Sequence, residues 1–236
     1  EIVLTDATTA EMVKLMENTY RDVNIAAANE FARLAERFGV DVWQAIRLAN
    51  RHPRVDILNP GPGVGGHCIS IDPWFLIEGW PEENSMIHRA RKVNEAQPAY
   101  VLEALQDFSG GLSGQEVAAL GLTYKADVDD LRESPAIEVV SLMVASGANV
   151  CTFEPYLPET VVQGAQPAAT LEDALKGADL AVLLVDHAPL RRLDPANIVQ
   201  FMRARLAFDT RGVWERDAWE RAGFKLQVLG VGGSHA

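Results

Sequence analysis

Two hydrophobic periods divide this chain, and the switch between them at Ser109-Gly110-Gly111-Leu112-Ser113-Gly114 narrows its possible folds more than any other feature. Before that junction apolar residues recur at helical spacing; after it, short apolar runs alternate with helical stretches. In the first block a helical pattern runs from Ala10 to Phe38, with Thr8 and Glu11 at capping-box spacing and Gly39 as its stop. At 1.5 Å per residue such a rod is about 43 Å long, more than a small domain needs. Its Ala26-Ala27-Ala28 stretch suits close packing against a twin. Asp41 caps a second helix to about Asn50. A loop rich in proline and glycine runs from Arg51 to Gly66 and on to Asp72, where Asp72-Pro73 reads as an N-cap followed by proline at the first helical position. A last helical pattern covers about Glu83 to Phe108, kinked or broken near Pro98.

Past the junction, strands are expected near Glu116–Leu122, Asn149–Phe153, Leu180–Val185, Leu206–Asp209 and Lys225–Val231. Helices are expected near Ser134–Ser146, Leu171–Lys176, Pro189–Met202 and Glu215–Ala222. That alternation implies a parallel sheet covered by helices on both faces. The fold class is therefore α/β: an all-helical domain over residues 1–108, then a Rossmann-like, doubly wound parallel-sheet domain over 109–236.

Composition removes several functions. Hydrophobic residues are 48% and charged residues 23% of the 236, the profile of a soluble globular protein. A net charge of -12 disfavours nucleic acid and acidic membrane surfaces as partners, so an anionic ligand needs a local basic pocket. Cys68 and Cys151 lack metal-type spacing, which points to a reducing compartment and no metal. With no signal peptide and no apolar run of membrane-spanning length, the expected location is cytoplasmic.

The stretch Gly61-Pro62-Gly63-Val64-Gly65-Gly66-His67-Cys68-Ile69-Ser70-Ile71-Asp72 carries the densest chemistry. Its glycines let the backbone approach a ligand and offer N–H groups to it. The loop delivers Cys68 just before a helix N-terminus, where the dipole favours a thiolate nucleophile. A buried structural cysteine after a glycine turn fits the same spacing. Asp72 suits a base or water-positioning group, and equally a plain helix cap. Lys14 and Asn18 share one helix face at i and i+4, in a turn whose neighbours Met12, Val13, Leu15 and Met16 suggest partial burial. The pair suits an oxyanion, or a solvated polar face. Adjacent His67 and Cys68 point apart and do not make a catalytic dyad.

In the second block no GxGxxG opens a strand-to-helix turn; Gly230-Val231-Gly232-Gly233 matches only superficially. Lys125, Arg132 and Arg211 are expected together beyond the carboxyl ends of the strands, where a phosphate-bearing ligand would lie. Arg132-Glu133 also fits a surface ion pair.

Together, the Lys14-Leu-Met-Glu-Asn18 turn, His52-Pro-Arg54-Val, the GPGVGGHCISIDPWF loop, Gly121-Leu-Thr-Tyr-Lys125, Asp130-Leu-Arg132-Glu-Ser-Pro135 and Asp209-Thr-Arg211-Gly resemble the UDP-glucose/GDP-mannose dehydrogenase family, in family order and across nearly the whole chain. The loop looks most like that of the branch acting on UDP-N-acetyl-D-mannosamine. The resemblance implies oxidation of a UDP-sugar at carbon 6 to the uronate with two NAD+, Cys68 forming a thiohemiacetal and then a thioester. It implies that Lys14 and Asn18 bind the sugar and steady the oxyanion, and that Asp72 assists proton transfer. Arg54 would reach the partner's substrate across a homodimer built on the helical domain. Asn59, Gly61, Gly63 and Gly65 would cradle substrate, with Tyr124, Lys125 and Arg211 holding the UDP-sugar. Arg132 would join Cys68 at the cofactor. Cys151 matches no family site and is expected in the core. The resemblance further implies an NAD-binding domain before Glu1, so this polypeptide alone is expected to be inactive. UDP-N-acetylglucosamine and UDP-glucose remain alternative substrates. A non-catalytic dimerisation and UDP-sugar-binding module is an alternative of another class, and an independent thiol hydrolase lacks a base partner.

Overall fold

The computed structural model describes residues 2–81 and 85–232. Helix α1 (Ala7–Phe38) begins earlier than its apolar pattern suggests. Asp6, not Thr8, is the N-cap, its carboxylate accepting the Thr9 N–H at 3.0 Å, so Thr8 and Glu11 form no capping box. Gly39, at φ 68°, ends the helix in the left-handed conformation. Helix α2 (Val42–Ala49) is capped by Asp41 as expected. Helix α3 (Asp72–Gly79) has Ile71 in its N-cap position; Asp72 is already helical, and Pro73 follows it inside the first turn. The expected long helix is two, α4 (Met86–Glu95) and α5 (Gln97–Ser109), broken at Ala96. Pro98 has no N–H to give to Asn94, and proline is tolerated only in a first turn, so a new helix starts there. The expected start at Glu83 lies outside the described residues, as do Glu1 and Gly233.

The sheet follows: β1 (Glu116–Leu120), α6 (Pro135–Ala145), β2 (Asn149–Phe153), β3 (Gln166–Pro167), α7 (Leu171–Leu175) and β4 (Leu180–Leu183). Then come α8 (Ala188–Arg191), α9 (Pro195–Ile198), β5 (Leu206–Asp209), α10 (Arg216–Arg221) and β6 (Lys225–Val228). Three expected strands stop two or three residues early, because the chain leaves the sheet to build loops at its carboxyl edge. The expected helix from Pro189 to Met202 is split: Asp194 caps a fresh start at Pro195, a signal present in the sequence. Strand β3 went unpredicted. It is a two-residue edge strand ending in proline, which carries no alternating pattern.

All six strands are parallel, in the order β3-β2-β1-β4-β5-β6. This is the doubly wound Rossmann arrangement, with its switch point between β1 and β4. Side chains alternate between two cores as the pleat requires. Val117 and Ala119 join Val150, Val182 and Phe208 on one face, while Ala118 and Leu120 join Ala181, Leu183 and Ala207 on the other. The helical block contributes to both. Val101 and Leu105 of α5 enter the first core; Ala32, Ala35, Val42, Trp43 and Ile46 enter the second. Polar contacts close the same seam: Trp43 Nε1 donates to Leu229 O at 2.8 Å, and Gly230 N donates to Glu36 Oε1 at 2.6 Å. The block that carries the cysteine loop is thereby held against the carboxyl edge of the sheet.

Candidate active site

Two separate devices hold the cysteine loop. From below, α1 and α4 supply a chain of buried polar groups. Gly61 N donates to Asn29 Oδ1 (3.0 Å), and Asn29 Nδ2 donates to Asn94 Oδ1 (3.1 Å). Asn94 Nδ2 in turn donates to Asp22 Oδ1 (2.8 Å), whose other partner is Arg91 Nη1 at 2.5 Å. All four side chains are buried and bonded to one another, although Asp22 Oδ2 and Arg91 Nε find no partner among the described residues. Burial pushes the Asp22 carboxyl up, against the pull of Arg91 and Asn94. These residues were not singled out in the sequence. The signal was there: Asn18, Asp22 and Asn29 recur at helical spacing along the small-residue stripe of α1.

From the side, the loop rests on the segment after β1. Gly66 N donates to Arg132 O (3.0 Å). Gly66 itself sits at φ 90°, where an added Cβ would lie 2.8 Å from the Tyr124 ring. A side chain at Gly61 would collide with the Arg211 guanidinium; Gly63 packs on Pro135 and Gly65 on Glu133 O. The loop therefore runs from Arg211 to Tyr124 in direct contact with both, and glycine is required because backbone meets side chain there.

The expected catalytic residues are partly gathered. Asn18, only 3% exposed, donates from Nδ2 to Asp72 Oδ2 at 2.5 Å, joining α1 to the start of α3 across 54 residues of sequence. Asp72 N and Ile71 N both donate to Cys68 O, at 2.7 and 3.1 Å, so Cys68 is the first residue of the turn that launches α3. Its thiol is exposed. Lys14 departs from the expectation of partial burial: its side chain is 62% exposed and faces Glu17 at 3.6 Å. Met12, Val13 and Met16 are exposed as well. Lys14 and Asn18 lie one turn apart on α1, yet the turn that carries Lys14 is exposed while Asn18 is buried.

At the sheet edge, Lys125 lies over the Tyr124 ring, 5.5 Å from its centroid. Arg211 comes from a turn whose four N–H groups, from Arg211 to Trp214, all donate to the buried Asp209 carboxylate. Burial pushes that carboxyl up while the four donors favour its ionised form. Arg211 Nε also donates to Asp186 Oδ1 at 3.0 Å, a partner not anticipated from sequence. Arg132 pairs not with Glu133 but with Asp130, through both carboxylate oxygens, and holds that carboxyl down at about 2. Its guanidinium lies within electrostatic range of Tyr124 and Cys68. Asn59 and Arg54 are exposed, the latter on a tight turn where its N–H donates to His52 Nδ1. Cys151 lies on β2, and burial pushes its thiol up. A cavity of about 450 Å³ adjoins the loop between Val64, Ser70, Trp74, Arg91, Glu133 and Glu138, but it does not take in Cys68, Lys125 or Arg211. Among the described residues no helix is long and apolar enough to cross a membrane, and no His/Cys/Asp/Glu group could hold a metal ion.

Comparison with known proteins accounts for this pairing of a helical block with a parallel sheet. Residues 8–96 match the central domain of the UDP-glucose/GDP-mannose dehydrogenase family, and residues 118–216 match its UDP binding domain. A UDP-N-acetyl-D-mannosamine dehydrogenase of Methanocaldococcus jannaschii is 48% identical over 98% of this chain and 54% of its own length. An NDP-N-acetyl-D-galactosaminuronic acid dehydrogenase of Ralstonia nicotianae is likewise 48% identical, over 90% of this chain and 50% of its own. The structure of a UDP-D-ManNAc dehydrogenase from Pyrococcus horikoshii superposes with a TM-score of 0.86 at 42% identity, over 98% of this chain and 54% of that one. The chain thus spans about half the length of the relatives it matches. Two consecutive matches in family order, on a fold that agrees over almost the whole chain, make this protein a member of the UDP-glucose/GDP-mannose dehydrogenase family.

Proposed function

We propose that this chain forms the central and UDP-sugar-binding parts of an NAD-dependent nucleotide-sugar 6-dehydrogenase, with UDP-N-acetyl-D-mannosamine as substrate. The division falls between residues 1–108 and 109–236. The observation that carries the reading is the 2.5 Å contact between Asn18 and Asp72, made beside the turn that presents the exposed Cys68. A buried amide in contact with a carboxylate, and a free thiol at the start of the same turn, are groups that attack on an aldehyde carbon would use.

In this reading Cys68 Sγ bonds to carbon 6 of the sugar aldehyde, and the carbonyl electron pair moves onto oxygen. Asn18 Nδ2 and Lys14 Nζ face the resulting oxyanion. Asp72 takes the thiol proton and passes it to solvent. Once carbon 6 has given up its hydride and the adduct has become a Cys68 thioester, Asp72 orients and deprotonates the water that releases the carboxylate, with Cys68 leaving as thiolate. Asn59 and the glycines at 61, 63 and 65 lie along the substrate, whose phosphates meet Lys125 and Arg211 while Tyr124 packs on its nucleoside. Arg54 serves the partner's substrate in a homodimer. The exposed Met12, Val13, Met16, Tyr20, Phe31, Leu34 and Phe38 along α1 support that assembly. NAD+ would supply the hydride acceptor. This sheet offers it no pyrophosphate loop, because the N–H groups after β1 already bond to Glu154; among the described residues Arg132 and Cys68 would be its contacts. The dinucleotide is therefore bound mainly by a domain outside this chain.

The test is NADH formation by the complete polypeptide with UDP-N-acetyl-D-mannosamine, UDP-N-acetylglucosamine and UDP-glucose. Turnover should be greatest with the first and abolished in Cys68→Ala. Full activity of Cys68→Ala would refute the covalent role. Turnover by residues 1–236 alone would refute the need for a separate NAD domain.

A further inference from the structure

In a dinucleotide-binding sheet of this strand order, the N–H groups that follow β1 face the pyrophosphate, and an acidic residue near the end of β2 holds a ribose hydroxyl. This chain has an acid in that place, Glu154, the residue directly after β2. It is turned inward and is 2% exposed. Its Oε2 accepts the N–H of Leu122 at 2.7 Å and that of Thr123 at 3.2 Å, both in the segment directly after β1. Its Oε1 accepts the Tyr156 N–H at 3.0 Å. The long segment from Gly121 to Ser134 separates β1 from α6, so no short glycine turn brings a helix N-terminus over these donors. The chain's own carboxylate stands where a ligand anion would.

His187 completes the arrangement. It is fully buried; its Nδ1 accepts the Asp127 N–H at 3.0 Å, which leaves the hydrogen on Nε2 to face Glu154 Oε2, also at 3.0 Å. Thr123 Oγ1, 3.1 Å from the same Nε2, donates to Lys125 O at 2.8 Å. Asp127 accepts from Ala188 N at 2.8 Å and from Tyr156 Oη at 3.0 Å. The segment Leu122–Asp127 is thus tied at Leu122, Thr123 and Asp127 to one buried carboxylate–imidazole pair, while Thr123 Oγ1 holds Lys125 O. Tyr124, in the middle of it, supports Gly66, and Lys125 is its neighbour. Burial pushes the Glu154 carboxyl up, but His187 and the backbone donors outweigh it and hold the group below its ordinary value, so the carboxylate is ionised.

We infer that Glu154, seconded by His187, is a positioning residue that fills the anion position of this sheet from within, closing it to dinucleotides and fixing the Leu122–Asp127 segment so that Tyr124 and Lys125 meet the nucleotide. The ligand named here rests on the proposed function; the internal clamp does not. Two measurements on the complete protein separate them. Hydrogen exchange of the Leu122 and Thr123 amides should quicken strongly in Glu154→Gln while β1 stays protected. In steady-state assays the same variant should raise KM for the UDP-sugar by about tenfold, the scale of one charge-assisted hydrogen bond, with kcat within about twofold. Glu154→Asp should recover part of the affinity. Should Glu154→Gln not fold, His187→Gln serves instead, with faster exchange at Asp127 and a smaller rise in KM. Unchanged exchange at these amides in a folded variant overturns the clamp, whatever the ligand. Altered exchange with unchanged KM, or an equal loss in kcat, overturns the positioning role. Absence of any UDP-sugar turnover by the wild type would count against the proposed function, and the exchange result would still decide the clamp.

Discussion

Replacing Arg91 by methionine isolates the buried chain beneath the cysteine loop. Arg91 and Asp22 are 4% and 0% exposed and meet at 2.5 Å, so the substitution strips a buried carboxylate of its guanidinium partner and leaves it the Asn94 amide as side-chain donor. Removing one partner of a buried pair costs about 3–5 kcal/mol. The remaining Asn94 bond and the apolar bulk of methionine place the expected loss at the lower end, about 3 kcal/mol. For a chain of this size that is a fall in Tm of roughly 6–12 °C. The pH dependence has a definite sign. Burial already pushes the Asp22 carboxyl up in the folded state, and Arg91 is the foremost influence opposing it, so its removal raises the group further. A carboxyl raised by folding contributes stability that is present below its unfolded value, about 4, and lost as pH rises through its folded value. The deficit should therefore be small near that lower limit and full at neutral pH. Urea unfolding of both proteins at about pH 4.5 and about pH 7 measures it, and Asp22→Asn with Arg91→Met should recover most of the loss. A deficit below about 1 kcal/mol at neutral pH, or one equal at both pH values, would refute the reasoning.

Asp130 gives a titration free of global unfolding. Its carboxyl, held at about 2 by Arg132, should rise in Arg132→Ala but stay below the ordinary range, because the residue-132 N–H still donates to it, as read by carboxyl NMR; since the folded value is the depressed one, the pair is intact above about pH 4 and released as pH falls toward 2. Gly66→Ala places a methyl 2.8 Å from Tyr124 at φ 90°, a strain of about 1–3 kcal/mol, and should raise KM for the nucleotide sugar more than it lowers Tm. Alkylation by iodoacetamide followed by peptide mass mapping should label the exposed Cys68 well before Cys151, whose thiol burial pushes up.

Local rules wrote much of this molecule. The stop at Gly39, the Asp41 cap and the five longer strands were legible because each depends on neighbours within a turn or a pleat. The glycine density of the cysteine loop and the charges of Lys125, Arg132 and Arg211 stood out for a different reason: they are compositional signals. Asn18 was placed by helical period, but not its partner. No spacing rule joins Asn18 to Asp72 across 54 residues, or pairs Arg132 with Asp130 rather than Glu133. Nor could it turn Glu154 inward onto Leu122 and Thr123, or bury Asp22 and leave Lys14 in the open. Sequence fixes what each element is and which residues share a face. Which face meets which, and which polar group loses its water and must find a partner, is decided only when the helices close over both sides of the sheet, because burial is a property of the assembled fold.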